Sequence, residues 1–248
     1  MRIIVSGCWH VGRKLAGYDW SVERTRAVEA IIERTHTADL FIHLGDLFDT
    51  GRPSPADYNL AFEVLDEIDC PMFLLKGNHD ENPGLEVDAL EPLKKIRFRQ
   101  QSKIVQFPCV MAVDGRMFSL APYQNDTKAR QPTSTTPGFA SSQAAVDDLL
   151  RRMKEKDMYS RFDDEGRAAA LLCTHLEVAG LDYGVEESSR RIGAAYHLED
   201  LVKLPFDVIV GHLHKAKMIR PNVYLPGSLL PFDFSEVGVQ KYCITVEL

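Results

Sequence analysis

Five short strings hold the residues best able to do chemistry: "CWH" with Cys8 and His10, "GDLFD" with Asp46 and Asp49, "GNHD" with Asn78, His79 and Asp80, "CTH" with His175, and "GHLH" with His212 and His214. Imidazole nitrogens, carboxylates and a carboxamide oxygen together form a donor set that suits first-row divalent metals. A histidine met singly is more often structural or merely exposed, and His36 and His197, with no motif around them, receive no role. His10, His79, His175, His212 and His214 each stand at or just after the end of an apolar run, in the company of Asp46 and Asn78, and chance does not account for that pattern. Two divalent ions about 3.5–4 Å apart can clamp a phosphodiester and activate a water at neutral pH. An imidazole beside them can stabilise the in-line transition state or protonate the departing alkoxide.

The elements that must hold these strings are legible in the apolar pattern. Short β-branched runs alternate with helix-period segments, the pattern of stacked β and α layers. Strands are expected at Arg2 to Ser6, Leu40 to Leu44 and Met72 to Leu75, with a helix over about 21–36 whose stripe is Val28, Ile31 and Ile32. Ser54-Pro55 reads as a cap and first-turn proline leading a helix that buries Ala61, Val64, Leu65 and Ile68. Further strands are expected near 103–107, 110–113, 116–121, 168–173, 207–211, 222–225 and 241–247, with Asp114-Gly115 as a hairpin turn. Residues 124–143 are polar and rich in Thr, Ser and Pro, and read as a surface loop before a helix carrying Val146, Leu149, Leu150 and Met153. The polar strings thus fall on loops at the carboxyl ends of strands, where open α/β sheets place ligands. Glycines at 45, 77 and 211 are expected to permit the turns there.

Taken together, "GDLFD", "GNHD", "THLEVAG" and "GHLHKAK" resemble the calcineurin-like metallophosphoesterase superfamily over essentially the whole chain. "GDLFDTGRPSP" and "VYLPGSLLPFDFSE" are similar to its SbcD-type DNA nuclease branch. The resemblance implies a four-layer α/β/β/α sandwich, two mixed sheets flanked by helices. It also implies one metal held by Cys8, His10, Asp46 and His214, and a second held by Asp46, Asn78, His175 and His212, with Asp46 bridging. His79 would stand near the leaving group as a non-ligand, and Asp49 and Asp80 would orient ligands or serve as turn and cap carboxylates. The metals implied by the family are two divalent ions, manganese in the first instance.

Cys8 departs from the family pattern, which has aspartate there. A thiolate keeps the single negative charge of the carboxylate, but its softness favours zinc or iron over manganese. The other reading of Cys8 is a small buried residue that only packs, leaving one metal weak or absent.

Composition bounds the remaining possibilities. With 248 residues the chain suits one large domain spanning 1–248, and 45% apolar and 26% charged residues are ordinary globular values. No apolar run reaches the length of a membrane span, the amino terminus lacks the features of a secretory signal, and the five cysteines form no CxxC pair. A cytoplasmic protein with reduced thiols is expected. The net charge of −7 argues against a broad basic face gripping nucleic acid, yet it does not exclude a nuclease whose metals carry local positive charge. Arg13, Lys14, Arg52, Lys215 and Lys217 follow the motifs closely enough to meet DNA phosphates, with Arg190 and Arg191 as further candidates.

The reading is therefore a metal-dependent phosphodiesterase with DNA as substrate. The alternatives are a phosphoesterase for small diesters or monoesters, and a non-catalytic DNA-end-binding protein. Relatives dimerise through this domain, so a homodimer is implied. SbcD relatives also carry a capping domain and an ATPase-binding tail after the last strand. Neither is expected within 1–248, which leaves partnership with an SbcC-like ATPase open.

Overall fold

The computed structural model describes residues 1–82, 87–125, 129–130, 138–154, 170–181, 195–233, 236 and 238–248. Arg190, Arg191 and much of the polar 124–143 stretch lie outside them. Two mixed sheets carry the fold. The first comprises β1 (Arg2–Ser6), β4 (Leu40–His43), β5 (Met72–Leu75), β6 (Ser102–Val105) and β15 (Ile244–Glu247), in the order β15-β1-β4-β5-β6. Within it β1, β4, β5 and β6 run parallel, and β15 closes one edge antiparallel to β1.

The second sheet comprises β7 (Cys109–Val113), β8 (Arg116–Ala121), β9 (Ala170–Thr174), β12 (Asp207–Val210), β13 (Lys217–Arg220) and β14 (Val223–Leu225), in the order β13-β14-β12-β9-β8-β7. Its centre is parallel, and β7 and β13 are antiparallel edges. Two small pairs, β2 (Lys14–Leu15) with β3 (Tyr18–Asp19) and β10 (Glu177–Ala179) with β11 (Ala195–His197), had no signal in the apolar pattern.

Side-chain alternation in the strands sorts the core into layers. Ile3, Val5, Leu40, Ile42, Phe73 and Leu75 of the first sheet meet Phe118, Leu120, Leu171, Cys173 and Ile209 of the second. The opposite face of the first sheet, with Ile4, Phe41 and Leu74, packs on α1 (Ser21–Thr35) and α2 (Pro55–Asp66) through Val28, Ile31, Ala61 and Leu65. The outer face of the second, with Leu172, Val208 and Val210, packs on α3 (Ser142–Lys154) through Val146, Leu149 and Met153. Leu201 of the single-turn α4 (Leu198–Leu201) joins that outer layer. Helix, sheet, sheet and helix therefore lie in four layers, as expected. No helix among the described residues is long and apolar enough to cross a membrane.

Local expectations hold where a cap or turn fixes them. Ser54 and Asp57 form a reciprocal capping box ahead of Pro55, and Asp114 and Gly115, both at positive φ, turn β7 into β8. Two expectations shift. Helix α3 begins inside the predicted loop, where Ser141 Oγ accepts from Ala144 N at 3.1 Å. The last strand begins at Ile244 rather than 241, because Lys241 turns inward to bind Glu236 and the His214 carbonyl.

Candidate metal centre

Each predicted ligand follows the carboxyl end of a parallel strand, Cys8 and His10 after β1, Asp46 after β4, Asn78 after β5, His175 after β9, and His212 and His214 after β12, and the predicted non-ligand His79 follows Asn78. The two sheets open their carboxyl ends toward one place, so residues distant in sequence meet there. Backbone strain is concentrated at this point. Among the described non-glycine residues Cys8, His10, Asp46 and His212 have φ of 53°, 46°, 54° and 72°, a region L-residues seldom enter unless the surroundings enforce it. Only Gly45 of the three expected turn glycines has positive φ, at 115°. Gly77 instead permits close approach, since a Cβ there would lie 2.1 Å from Asp46 Oδ1.

Donor atoms within 4.8 Å of one another group as Cys8, His10 and His214; as Cys8, Asp46 and His175; and as His10, Asp46 and His79. Asp46 Oδ2 lies 3.1 Å from His175 Nε2 and 3.7 Å from His10 Nε2, so the carboxylate sits between two imidazoles. Asn78 Oδ1 lies 3.1 Å from His175 Nε2 and 3.0 Å from His212 Nδ1. The residues assigned to each of two metals by resemblance are thus brought together, and Cys8 lies near both sets.

The chemistry of these donors fits a cation. His10 Nδ1 is 3.2 Å from Asp49 Oδ1, and His214 Nδ1 is 3.2 Å from Glu236 Oε1. An ionised carboxylate only accepts, so each Nδ1 carries a proton, and a ring with no second proton presents a bare Nε2. Those two Nε2 atoms face each other at 3.1 Å. Likewise His175 Nδ1 donates to the Leu44 carbonyl at 2.8 Å, aiming Nε2 at oxygens of Asp46 and Asn78. Such a convergence of donor atoms is stable only with positive charge between them, a proton or a metal ion, and residues that hold the far side of each ring are the usual support of metal-binding imidazoles.

Electrostatics follows from burial and from these pairs. Burial pushes His10 down to about 4, and burial with the neighbouring His175 charge pushes His212 down to about 3, so both rings are neutral at pH 7. Burial opposes the ionised form of Asp46, but His175, His10 and His79 outweigh it and hold the carboxyl well below its usual range. For His175 burial works against the charged form, and Asp46 outweighs it in turn, so its pKa is raised.

The flanking residues divide into several kinds. Asp49 orients His10, and its carbonyl accepts from His79 Nδ1 at 2.9 Å, which leaves His79 Nε2 as the ring atom available to a substrate. Asp80 instead holds backbone, accepting from Phe48 N at 2.9 Å and Gly77 N at 2.8 Å; burial, then repulsion from Asp46, raises it to about 7. Arg13 is turned inward, donating to Asp49 at 3.1 Å and lying over the Phe232 ring. Lys14, Arg52, Lys215 and Lys217 are exposed.

Sequence reasoning missed Glu236, Phe232 and Lys241. Glu236 ends the string "PFDFSE" used for the branch resemblance, but no metal motif contains it. Phe232 lies edge-on to both His10 and His214, at centroid distances of 4.9 and 5.6 Å. Their only signal in the sequence was proximity to the "PGS" turn.

Known proteins place this geometry. The sequence is 26% identical to the SbcD subunit of the nuclease SbcCD of Bacillus subtilis (strain 168), and 26% identical to the protein of the same name from Staphylococcus saprophyticus. Both alignments cover 100% of this chain and 66% of the relative, so the chain spans just under two thirds of those proteins' length. The fold is similar to that in the crystal structure of TT1561 of Thermus thermophilus, with a TM-score of 0.50 at 13% identity, covering 92% of this chain and 89% of that one. Residues 1–216 match the family described as Calcineurin-like phosphoesterase, and the chain belongs to it.

Proposed function

We propose that the protein is a DNA nuclease that hydrolyses phosphodiesters at a two-metal centre. The observation that carries the metal centre is the facing pair of His10 and His214 Nε2 atoms, 3.1 Å apart, on rings that are both oriented through Nδ1 by carboxylates. Cys8, His10, Asp46 and His214 would hold one ion, and Asp46, Asn78, His175 and His212 the other. Bound divalent ions supply positive charge to a phosphoryl oxygen and make water acidic enough to attack near neutral pH. Asp46 keeps its negative charge against burial because imidazoles surround it, so it is ready to bridge. His79, held through Nδ1 by the Asp49 carbonyl, presents Nε2 toward the leaving oxygen and delivers the proton there. The Asp49 carboxylate lies 3.9 Å from His79 Nδ1, close enough to serve as counter-charge when the ring carries that proton.

DNA as substrate is supported by the two relatives that bear the SbcCD nuclease name. It is further supported by the way "PGS", one of the strings similar to that branch, is built into the metal site through Ser228. Exposed Lys14, Arg52, Lys215 and Lys217 would meet phosphates, and an SbcC-like ATPase is the partner those relatives suggest. The test compares kcat/KM for single- and double-stranded DNA with that for bis(p-nitrophenyl) phosphate at equal Mn²⁺. Remote contacts used in the transition state favour the polymer. DNA should be cut faster; a clear preference for the small diester would overturn the nuclease assignment and leave a small-molecule phosphoesterase.

A further inference from the structure

We propose that Glu236 is the positioning residue for His214, supplied to the metal site by the segment 226–241, which lies beyond the residues that match the family. The proposal rests on His214 being a ligand, as assigned above. Glu236 is 1% exposed, and a buried carboxylate without partners would be costly. Its partners among the described residues are all from this corner of the fold. Oε1 accepts from His214 Nδ1 at 3.2 Å; Oε2 accepts from Ser228 Oγ at 3.3 Å, from Phe232 N at 3.4 Å, and from the ammonium of Lys241. Lys241 donates as well to the His214 carbonyl at 3.0 Å and to Ser228 Oγ at 2.8 Å. Ring and backbone of His214 are therefore both gripped by one ion pair.

Residues 227–229 are also seated tightly against the ligand loops. Ser228 N donates to the His214 carbonyl at 3.1 Å, and Leu229 N donates to the Cys8 carbonyl at 3.2 Å. Gly227 has φ 81°, and a Cβ there would lie 2.7 Å from the His214 carbonyl oxygen, so only glycine lets the chain come this close. The "PGS" turn thus brings Glu236 to the far side of His214, where an anionic acceptor fixes Nδ1–H and makes Nε2 more basic. The two Glu236 neighbours, His214 and Lys241, outweigh burial and hold the carboxyl at about 2, so it is ionised throughout the working range.

The experiment uses the full chain with ¹⁵N-labelled histidine, as wild type and as Glu236→Gln, Glu236→Ala and His214→Ala. In metal-free wild type, His214 should be the Nδ1–H tautomer; Glu236→Ala should populate Nε2–H, while Glu236→Gln, which keeps an acceptor oxygen, should retain Nδ1–H. Mn²⁺ and Zn²⁺ titrations should show one of two ions weakened about 10–100-fold in Glu236→Ala, and less in Glu236→Gln. Unchanged tautomer and unchanged metal affinity in Glu236→Ala overturn the proposal and leave Glu236 a packing residue that moves only the melting temperature. If Glu236→Ala fails to fold because Lys241 is left unpaired, Glu236→Leu with Lys241→Met removes both charges and is read in the same way. His214→Ala separates the two levels. Loss of one ion there supports the ligand assignment, whereas two ions at wild-type affinity overturn both that assignment and the role given to Glu236.

Discussion

The two proposed ligand sets are backed in different ways. On the side of Cys8, His10 and His214, each imidazole leans on a carboxylate, Asp49 or Glu236, and the Phe232 ring fills the space between them. On the side of Asp46, Asn78, His175 and His212, the His175 ring leans on a neutral backbone carbonyl, that of Leu44. An anionic acceptor behind an imidazole makes it the stronger donor. The first side is thus tuned by side chains from 49 and 236, far apart in sequence, while the second is built into the strand ends of the core. Affinity at the first should respond to substitution of those two carboxylates, and affinity at the second to core packing and proton competition.

Asp46 belongs to both sides, so its substitution should be the most damaging. Asp46→Asn keeps the shape but removes the charge that His175 and His10 surround, and both ions should be lost together with turnover. Elemental analysis of the purified variant checks this; retention of either ion at wild-type affinity would mean the two sides are not joined through Asp46. His79 comes next. His79→Ala should lower turnover by about 10²–10⁴-fold, the range for loss of one acid–base group, with both ions retained. Loss of an ion would make His79 a ligand on the Cys8 side, which its proximity to His10 and Asp46 makes a real contest.

Cys8 gives the comparison its chemical edge. If its sulfur binds metal, Cys8→Asp should raise Mn²⁺-supported activity relative to Zn²⁺, and Cys8→Ala should weaken one ion more than Cys8→Ser does. If Cys8 only packs, Ala and Ser should be mild and Asp should destabilise the fold, since Cys8 is fully buried. Metal content and melting temperature across the three variants separate these outcomes.

What the sequence disclosed follows from the range of the interactions involved. The strands β1, β4, β5 and β12 were plain because each is a short apolar run whose length and punctuation are local properties. The proposed ligands were easy to single out because strand ends in parallel sheets gather polar groups at one edge. Glu236 was not, because its role depends on a turn at Gly227 that brings it against His214, and nothing local in "FSE" encodes that approach. Arg13 was read as a substrate contact from its place after the first motif, yet the structure turns it toward Asp49 and Phe232. Proximity in sequence gave the neighbourhood of that side chain but not its direction.

Proton release on metal loading sharpens the comparison with the smallest signal. A metal ligand must be deprotonated, so binding is coupled to every proton that a ligand carries beforehand. On the first side His10, held near 4, is already neutral at pH 6.5, and His212 on the second, held near 3, is neutral too. His175 differs: its pKa is raised above 6.5 against Asp46, so below that raised value the ring holds a proton that loading must expel. Affinity on the second side should therefore fall as pH drops through that value, by about tenfold per pH unit for one proton. If Cys8 is a ligand, its thiol must be deprotonated on loading, which adds a second proton on the first side. Calorimetric titration at pH 6.5 in buffers of different ionisation enthalpy counts these protons, and wild type should release more of them than Cys8→Asp with His175→Asn. Cys8→Asp alone should lose one of them and keep the dependence that belongs to His175. Equal release from wild type and Cys8→Asp would assign the sulfur to packing, and the carboxylate-backed side would then hold its ion through imidazoles and Asp46 without help from Cys8.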